Sequence, residues 1–377
     1  MRIMVACGGT GGHIFPGLSV AAELRRRGVD VTILLAGKQI EKTALADWDG
    51  PVLTVAARGL DRRRPGAALT AALRLLSACY QWRRLMRAAP PDALLAMGGY
   101  ASGGPVLAAR SLRVPIVLHE ANVIPGLAVR LLSRFAQAVA LGFDEAREHL
   151  RHPRLELTGI PLRAIRPSAE PDARLAALPS DVFTVLVMGG SAGARRLNEL
   201  LPAAVQELAR RGRRLQVIHL AGTASASAVE EVYRQIPGVT AVVYPFLHNM
   251  PQVYRRANLA ICRAGAATCA ELLQFGTPAL LVPYPFAAND HQAANAMAMQ
   301  KYGVADMLRE GEATAGKLAD YITQAMEQPE RLAKMRAAAA AHALSDAAAR
   351  VADLLQDLAR HHHSKKSGTG GMSNGKK

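Results

Sequence analysis

Two glycine-rich segments, each preceded by an apolar run and followed by a helix, are the parts of this sequence best suited to chemistry. The first is GGTGG at residues 8–12, and the second is GGSAG at residues 189–193. Backbone N–H groups and the positive end of a helix dipole converge on such loops, and the missing Cβ atoms allow a ligand to approach closely. The repeat predicts two Rossmann-like halves that share an anionic ligand such as a diphosphate, with the Ser191 hydroxyl as an additional donor.

Two common nucleotide-binding patterns are absent from these loops. The first loop does not read G-x-G-x-x-G, and the predicted strand 31–35 ends in Ala36-Gly37-Lys38 without the acidic residue that would hold the ribose of NAD. The pattern G-x-x-x-x-G-K-[ST] of P-loop ATPases does not occur either. No cofactor is therefore predicted.

His13 directly follows the first glycine loop, at the edge of the sheet where doubly wound folds bind their ligands. A helix N-terminus disfavours the imidazolium form, so the ring stays neutral and able to accept a proton. His13 is therefore the candidate general base. The alternative is a structural histidine that forms hydrogen bonds at the start of the helix.

Polar residues also follow other predicted strands. Glu271 falls in the first turns of a helix, where its carboxylate could stabilise the dipole or accept two hydroxyls of a ribose. The polar residues of segment 282–295 leave a proline-framed strand, a pattern that favours a sugar-binding loop. Residues 119–122, HEAN, follow another strand and could equally be helix caps. The D-x-D sequence at 47–49 precedes a proline and is interpreted as a solvated turn, so no metal site is predicted.

An α/β architecture must position these residues, because short aliphatic runs alternate with helical segments along the chain. At 377 residues the chain exceeds the usual size of one domain. The predicted strands lie near 2–7, 31–35, 52–55, 93–96, 115–118, 137–140, 155–157, 183–188, 215–220, 240–243, 258–261 and 279–282. The predicted organisation is an N-terminal Rossmann-like domain over 1–160, a proline-rich linker over 161–181, a C-terminal Rossmann-like domain over 182–345, a final helix over 346–360 and a disordered basic tail over 361–377.

The formal charge of +16 is unevenly distributed. Residues 58–87 contain eight arginines and one acidic residue, next to an apolar stripe at helical spacing. Such a segment suits an anionic lipid surface, although it could also pack on the sheet. The residues expected to contact the membrane are Leu69, Leu73, Trp82, Arg83, Arg84 and Arg87. Aromatic residues make up only 5% of the chain and do not alternate with basic ones, so nucleic acid is not a predicted partner.

The remaining composition points to a reducing compartment. The four cysteines form no CxxC pair and have no histidine at zinc spacing, so they are interpreted as small buried apolar residues. The first residues enter a strand and a glycine loop at once, which leaves no room for a signal peptide. No apolar run is long enough to cross a bilayer. A cytoplasmic protein with peripheral membrane contact is expected.

Seven motifs, taken together, resemble the MurG family. They are GGTGGH at 8–13, MGGYASGG at 97–104, HEAN at 119–122, GIPLR at 159–163, GGSAGA at 189–194, CRAGAATCAE at 262–271 and NDHQAANA at 289–296. The resemblance implies a GT-B glycosyltransferase, with two Rossmann-like domains, the donor between them and the last helix returning to the first domain. It also implies transfer of N-acetylglucosamine from UDP-GlcNAc to the C4 hydroxyl of the muramoyl unit of lipid I, forming lipid II at the inner leaflet.

The resemblance also assigns donor contacts. They fall on Thr10, Gly11, Gly12, Asn122, Arg163, Ser191, Leu247, Ala266, Ala267, Thr268, Cys269, Ala270, Glu271 and Gln292. In this assignment Glu271 holds the ribose, Gln292 holds the sugar hydroxyls, and the backbone of Phe246 and Leu247 reads the uracil. Family members often have Gln where Ala121 stands, and the cationic tail lies outside the family pattern.

Direct displacement with inversion would require His13 as base, and Arg163, Ser191 and the helix N-terminus after Gly193 would stabilise the UDP leaving group. Two alternatives stay open. A different lipid-acceptor GT-B enzyme, such as a diacylglycerol glycosyltransferase, would share the donor site and the basic segment. A catalytically silent UDP-sugar sensor would keep the donor site without needing a base.

Overall fold

The computed structural model describes residues 1–38, 41, 44–56, 67–163, 172–190, 193–247 and 249–369. The described residues form two compact units. One contains those within Met1–Arg163 and Asp346–Lys377, and the other contains those within Ala164–Ser345.

The first unit is built on a seven-stranded parallel sheet in the order β3-β2-β1-β4-β5-β6-β7. Its strands are β1 Arg2–Ala6, β2 Asp30–Leu35, β3 Val52–Thr54, β4 Ala93–Ala96, β5 Ile116–Glu120, β6 Ala138–Leu141 and β7 Leu155–Leu157. Its helices are α1 Gly11–Arg26, α2 Ala67–Ala88, α3 Gly103–Ser111 and α4 Leu127–Leu132, joined by the last helix of the chain, Ala347–Thr369.

The second unit repeats the design with a six-stranded parallel sheet in the order β10-β9-β8-β11-β12-β13. Its strands are β8 Phe183–Met188, β9 Leu215–Leu220, β10 Thr240–Tyr244, β11 Leu259–Cys262, β12 Ala279–Leu281 and β13 Ala305–Met307. Its helices are α5 Ala173–Ala176, α6 Arg195–Arg210, α7 Ala226–Arg234, α8 Met250–Arg256, α9 Ala266–Phe275, α10 His291–Lys301, α11 Ala315–Glu327 and α12 Pro329–His342.

The core of the first unit lies on both faces of its sheet. Alternation along β1 sends Ile3 and Val5 to the face covered by α1, and Met4 and Ala6 to the face covered by α2 and α3. All four residues are buried, which explains why the strand is a continuous apolar run instead of an alternating one. The first glycine loop therefore begins directly after a strand that is buried on both faces.

The last helix, α13 (Ala347–Thr369), packs on the same face of this sheet as α1. Buried Val351 and Leu355 join the core there, and Arg27 donates hydrogen bonds to Asp353 at 2.5 Å and to Gln356 at 2.9 Å. The helix continues to residue 369, so the expectation of a disordered tail from residue 361 is wrong for 361–369. Extending a helix that already exists costs much less free energy than nucleating a new one. The low-complexity composition of the tail does not show that a helix precedes it. Residues 370–377 lie outside the described part of the chain.

Both strand orders are those of the Rossmann fold, so the predicted fold class is confirmed. All twelve predicted strands are present. The strand β13 was not predicted, because its three residues include a charged Asp306 and give no apolar run. A strand at the edge of a sheet can be short and polar, and pairing with β12 is what defines it.

Candidate active site

The expected site residues lie beyond the carboxyl ends of the parallel strands in each unit. In each sheet the connections reverse direction beside the first strand, between β1 and β4 and between β8 and β11. The crevice at such a reversal is where open parallel sheets bind ligands. The two glycine loops follow β1 and β8 and therefore lie at these two points.

The carboxylate of Glu41, which the sequence did not predict as a site residue, joins the first glycine loop to the loop that follows β2. Glu41 is 2% exposed and accepts hydrogen bonds from the backbone N–H groups of Gly9 at 2.9 Å, Ala36 at 3.2 Å, Gly37 at 2.7 Å and Lys38 at 2.8 Å. One amide of the expected anion site is thus occupied by a side chain of the protein. The backbone N–H groups that can still donate to a ligand at this point are those at the start of α1, from Thr10 onward.

His13 lies in the first turn of α1, with its Nδ1 atom 3.0 Å from the Thr10 hydroxyl. Its ring packs on the loop after β4, where a Cβ on Gly99 would come within 2.9 Å of the His13 Cε1 atom. Gly99 also has φ +72°, so both its backbone angle and the closeness of the ring require glycine. Burial lowers the pKa of His13 below its ordinary value of 6.5, which keeps the ring neutral at physiological pH.

The residues of the HEAN motif at the end of β5 have different structural roles. His119 is fully buried, its Nε2–H donates to the Gly159 carbonyl at 3.1 Å, and burial lowers its pKa to about 4. Glu120 accepts hydrogen bonds from the backbone and side-chain amides of Asn122 at 2.9 and 3.2 Å, and from the Gly126 backbone N–H at 2.8 Å. The carboxylate therefore orients Asn122 and fixes the loop before α4.

Arg163 is placed at the same end of the first unit as α1. It follows β7, is exposed, and its guanidinium carbon lies 5.9 Å from the centre of the Phe15 ring. Phe15 is two residues beyond His13, so the structure brings Arg163 to the helix that begins with Gly11 and Gly12. This cation and the start of α1 make that end of the first unit electropositive.

The second glycine loop folds back on itself so tightly that side chains are excluded. A Cβ on Gly189 would come within 2.1 Å of the Ala194 nitrogen, and one on Gly193 within 2.3 Å of the Ala221 carbonyl oxygen. Gly193 also has φ +77°. The loop leads directly into α6, as an anion site requires. Ser191, expected to donate to the diphosphate, lies outside the described residues.

Helix α9, which follows β11, contains the residues 266–271 that are expected to contact the nucleotide. Residues 266–268 and 270 are half-buried, whereas the Cys269 thiol is fully buried and faces the core. Tyr254 donates a hydrogen bond of 2.6 Å to Oε2 of Glu271, and burial raises the pKa of Glu271 to about 7. Tyr254 was not predicted; it stacks on Phe275 with ring centres 5.2 Å apart and is delivered by α8, seventeen residues before Glu271 in the chain.

The loops after β10 and β12 carry the other expected donor contacts of the second unit. Leu247 is half-buried and follows an exposed Phe246. Gln292 lies in the first turn of α10, where its Oε1 accepts a hydrogen bond of 3.0 Å from the Tyr284 backbone N–H. Both residues therefore lie beyond the carboxyl edge of the same sheet as Glu271.

Among the described residues, no group of three or more His, Cys, Asp or Glu side chains is arranged to hold a metal ion. In the D-x-D segment, Asp49 forms an ion pair with Arg25, which also lies 5.1 Å from the Trp48 ring. That arginine lowers the pKa of Asp49. Asp49 therefore has a structural partner on α1.

Helix α2 exposes an apolar face that includes the expected Leu73 but not the expected Trp82. Leu73, Leu76 and Tyr80 are 57%, 64% and 70% exposed. Trp82 is only 3% exposed and packs where Gly104 of α3 leaves room, so the expectation that Trp82 contacts lipid is wrong. Its position on the opposite side of the helix from Tyr80 explains the difference.

The three expected basic residues of α2 lie in its last two turns and differ in exposure. Arg84 and Arg87 are exposed and Arg83 is half-buried. Spacing of three or four residues puts Arg84 and Arg87 on the face that carries Leu73, Leu76 and Tyr80. The side chain of Leu69 lies outside the described part of the chain. No helix in the described residues is long and apolar enough to span a membrane.

A second exposed strip, which sequence reasoning missed, is found on α4. Leu127 and Leu131 are 46% and 51% exposed, and Arg130 and Arg134 lie on or just after the same helix and are also exposed. Both α2 and α4 pack against α3. The signal in the sequence was the i, i+4 spacing of the two leucines.

Two Rossmann-like units, with a glycine loop at the reversal point of each and a half-buried carboxylate on helix α9 in the second, define the GT-B class of nucleotide-sugar glycosyltransferases. The chain matches the glycosyltransferase family 28 N-terminal domain over residues 3–141 and the glycosyltransferase family 28 C-terminal domain over residues 184–351. The chain belongs to this family and, within it, to the MurG family.

Named relatives support that membership. The UDP-N-acetylglucosamine--N-acetylmuramyl-(pentapeptide) pyrophosphoryl-undecaprenol N-acetylglucosamine transferase of Gloeobacter violaceus is 37% identical, over 96% of this chain and 99% of that protein. The enzyme of the same name from Geobacter metallireducens is 35% identical, over 94% and 97%. The crystal structure of Acinetobacter baumannii MurG superposes with a TM-score of 0.78 at 32% identity, over 94% and 99%.

A likeness in fold alone extends further. The UDP-GlcNAc 2-epimerase from Neisseria meningitidis, solved with UDP-GlcNAc bound, superposes with a TM-score of 0.68 at 14% identity, over 95% of this chain and 100% of that chain.

Proposed function

We propose that this protein transfers N-acetylglucosamine from UDP-GlcNAc to the C4 hydroxyl of the muramoyl unit of lipid I, the undecaprenyl-diphosphate-linked acceptor, forming lipid II for peptidoglycan synthesis. The observation that carries the proposal is the carboxyl edge of the second sheet, where a glycine loop, the start of α9 and the Tyr254–Glu271 pair occur together. The names of two relatives, each covered over 97% or more of its length, supply the acceptor.

In this proposal the second unit binds the donor. The backbone N–H groups at the starts of α6 and α9 meet the diphosphate, Glu271 accepts hydrogen bonds from the ribose hydroxyls, and Gln292 meets the sugar. Leu247 and the backbone beside it contact the uracil. Arg163, Asn122 and the residues Thr10, Gly11 and Gly12 of the first unit complete the expected contacts. No metal ion and no cofactor is part of the proposal.

His13 is proposed as the general base. With its proton on Nδ1 it donates to the Thr10 hydroxyl, and the lone pair on Nε2 takes the proton of the acceptor C4 hydroxyl. The oxygen attacks C1 of N-acetylglucosamine, the bond from C1 to the UDP oxygen breaks, and configuration at C1 inverts. Helix N-termini and Arg163 stabilise the negative charge that develops on UDP.

Turnover of the purified protein tests the proposal directly. With UDP-GlcNAc and a lipid I analogue, UDP should be released in equal amount to lipid II formed. Release of UDP with diacylglycerol but not with the lipid I analogue would favour a different lipid-acceptor transferase. Tight UDP-GlcNAc binding with no turnover on either acceptor would favour a UDP-sugar sensor.

Chelation is expected to leave donor binding unchanged. Backbone N–H groups and Arg163 are proposed to hold the diphosphate, and Asp49 is engaged by Arg25. Titration calorimetry with and without EDTA should therefore give UDP dissociation constants within about twofold, the ordinary scatter between such measurements. Weaker binding in EDTA that Mg²⁺ or Mn²⁺ restores would contradict this prediction.

We propose that the protein is peripheral, on the cytoplasmic side of the plasma membrane, and that α2 docks the first unit on anionic lipid. The exposed face of α2 pairs Leu73, Leu76 and Tyr80 with Arg84 and Arg87. Each arginine near an anionic surface contributes about 1 kcal/mol, and salt screens the attraction. The first unit would then receive the lipid-linked acceptor, while the second unit takes the soluble donor.

Charge reversal on α2 tests this docking. The variant with Arg83, Arg84 and Arg87 all changed to Glu is expected to lose co-sedimentation with phosphatidylglycerol vesicles and to keep UDP binding in detergent. The reason is that attraction by the guanidinium groups becomes repulsion by carboxylates.

A matched control places the same change on exposed residues of the second unit. The variant with Arg214, Lys317 and Lys334 all changed to Glu should sediment with the vesicles as the wild type does. Equal loss of binding in both variants would show that net charge alone holds the protein on lipid. Unchanged binding in the α2 variant would place the docking surface elsewhere.

A further inference from the structure

A buried arginine fastens the loop that follows β12. Arg263, the first residue after β11, is only 7% exposed. Its Nη1 donates to the carbonyl oxygens of Val282 and Pro283, both at 3.1 Å, and its Nη2 forms an ion pair with Glu310. Its guanidinium carbon lies 5.4 Å from the centre of the Tyr284 ring. Arg263 thus contacts both the backbone and a side chain at the start of this loop.

The fastened loop in turn orients Gln292. Pro283 and Pro285 have no backbone N–H, so the N–H of Tyr284 is the one backbone donor among these three residues. It donates to Oε1 of Gln292 at 3.0 Å. Because an N–H group must meet an acceptor, this bond fixes which end of the Gln292 amide faces the loop and presents Nε2, a donor, as the end for a ligand.

A reciprocal bond joins the same two segments. Asn295, fully buried on α10, donates from Nδ2 to the Ala264 carbonyl oxygen at 3.1 Å. Arg263 therefore ties the loop after β11 to the loop after β12, and Asn295 ties the helix of Gln292 back to the loop after β11. The two loops hold each other at the edge where the donor is proposed to bind.

We propose that Arg263 is a positioning residue that sets selectivity for the sugar of the donor, by holding Tyr284 where it orients Gln292. Arg263 does not itself touch the ligand. The inference rests on the proposed function, in which Gln292 meets the sugar hydroxyls. Pre-orientation matters because an unfastened glutamine must give up rotamer freedom on binding.

The test compares UDP-GlcNAc with UDP, which lacks the sugar. In the Arg263→Gln variant, calorimetry should show UDP-GlcNAc binding weakened about tenfold and UDP binding within about twofold of wild type, since tenfold corresponds to one well-oriented polar contact. Glutamine is too short and has too few donors to hold two carbonyls and Glu310 together. Equal weakening of both ligands, or of neither, would overturn the proposal.

A second variant avoids an unpaired buried charge. Arg263→Met combined with Glu310→Met removes both partners of the ion pair, which is tolerated better than removing one. The same selective loss of UDP-GlcNAc binding is expected. A double variant that is folded and binds both ligands as the wild type does would count against the proposal.

Arg336 offers a matched control in the same unit. It also holds backbone carbonyls, those of Gly276, Ala257 and Asn258, at 3.2 to 3.3 Å. Arg336→Gln should lower the melting temperature without changing the ratio of the UDP-GlcNAc and UDP affinities. A selective loss of UDP-GlcNAc binding in this variant as well would mean that any loosened arginine has the effect, which would overturn a specific role for Arg263.

A double-mutant cycle completes the test. In a Gln292→Ala background, Arg263→Gln should weaken UDP-GlcNAc by less than twofold, because the residue through which it acts is gone. A second tenfold loss in that background would show that Arg263 acts by another route. If instead Gln292→Ala alone leaves UDP-GlcNAc binding unchanged, the donor assignment in the proposed function is what fails.

Discussion

Replacement of His13 by alanine is expected to lower kcat by roughly 10²–10⁴-fold while UDP-GlcNAc binding stays within a few fold of wild type. The side chain lies in the first turn of α1, with Nδ1 3.0 Å from the Thr10 hydroxyl and with its pKa lowered by burial. It is therefore oriented and neutral, as a base must be. Steady-state kinetics with a lipid I analogue measure kcat, and calorimetry measures donor binding.

His149 provides the control for this variant, since it is an exposed histidine of the same unit. His149→Ala should turn over at the wild-type rate. A His13→Ala protein that also turns over at the wild-type rate would remove His13 from the mechanism and leave it as a residue that packs on Gly99.

The pH profile of kcat gives an independent measure of the same role. At saturating donor, kcat should be level above pH 6.5 and fall only at lower pH, because the pKa of His13 lies below its ordinary value and only the neutral ring accepts a proton. The residual activity of His13→Ala should lack this fall. An unchanged profile in the variant would assign the titration to another group.

Replacement of Glu271 by alanine is expected to raise the KM for UDP-GlcNAc by at least roughly a hundredfold with a much smaller effect on kcat. Hydrogen bonds to a carboxylate contribute about 1.5–3 kcal/mol each, and the ribose contact is present in the ground state and the transition state alike. Tyr254 already holds Oε2 at 2.6 Å, so the carboxylate is placed before the ligand arrives. Calorimetry with UDP alone should show the same loss.

The 2′-deoxy analogue of UDP separates a ribose contact from a purely structural role. Wild-type protein should bind it more weakly than UDP, whereas Glu271→Ala should bind the two equally, because the partner of the missing hydroxyl is gone. If the wild type does not distinguish the two ligands, Glu271 serves the helix dipole and the assignment to the ribose is wrong.

Donor affinity should also depend on pH through Glu271. Burial raises its pKa to about 7, so the group is largely protonated at pH 6 and largely ionised at pH 8. The ionised carboxylate accepts hydrogen bonds from both ribose hydroxyls, and UDP-GlcNAc binding should therefore tighten as the pH rises through 7. Glu271→Gln, which cannot ionise, should show a flat profile over that interval. This dependence appears in the donor KM, and that of His13 appears in kcat.

The order of apolar runs and glycine loops along the chain was sufficient to predict the two Rossmann-like domains and twelve of the thirteen strands that the described residues form. Strands buried on both faces are continuous apolar segments such as β1 and β8, and glycines follow where the backbone must turn sharply. These are local properties, and a single sequence therefore reveals them. The seven motifs were equally sufficient for the MurG family, which the comparisons confirm.

The partners of the site residues could not be predicted in this way. Glu41 holds the amide of Gly9, Tyr254 holds Glu271, and Arg263 holds the loop that orients Gln292. The two members of each pair are between 17 and 32 residues apart in the chain. The sheet brings them together, because its parallel strands end at the same edge. No periodicity connects such residues, because their proximity is a property of strand order.

The sequence by itself determined which residues of α2 are apolar and which are basic, but the tertiary structure decided which of them reach solvent. Trp82 and Tyr80 are two residues apart and equally plausible at a lipid surface, yet α3 covers Trp82 and leaves Tyr80 70% exposed. The free energy gained by burying a large ring is realised on the side of the helix where another element packs. Which side that is depends on the arrangement of the neighbouring helices around the sheet, and the chain acquires that arrangement only when it folds.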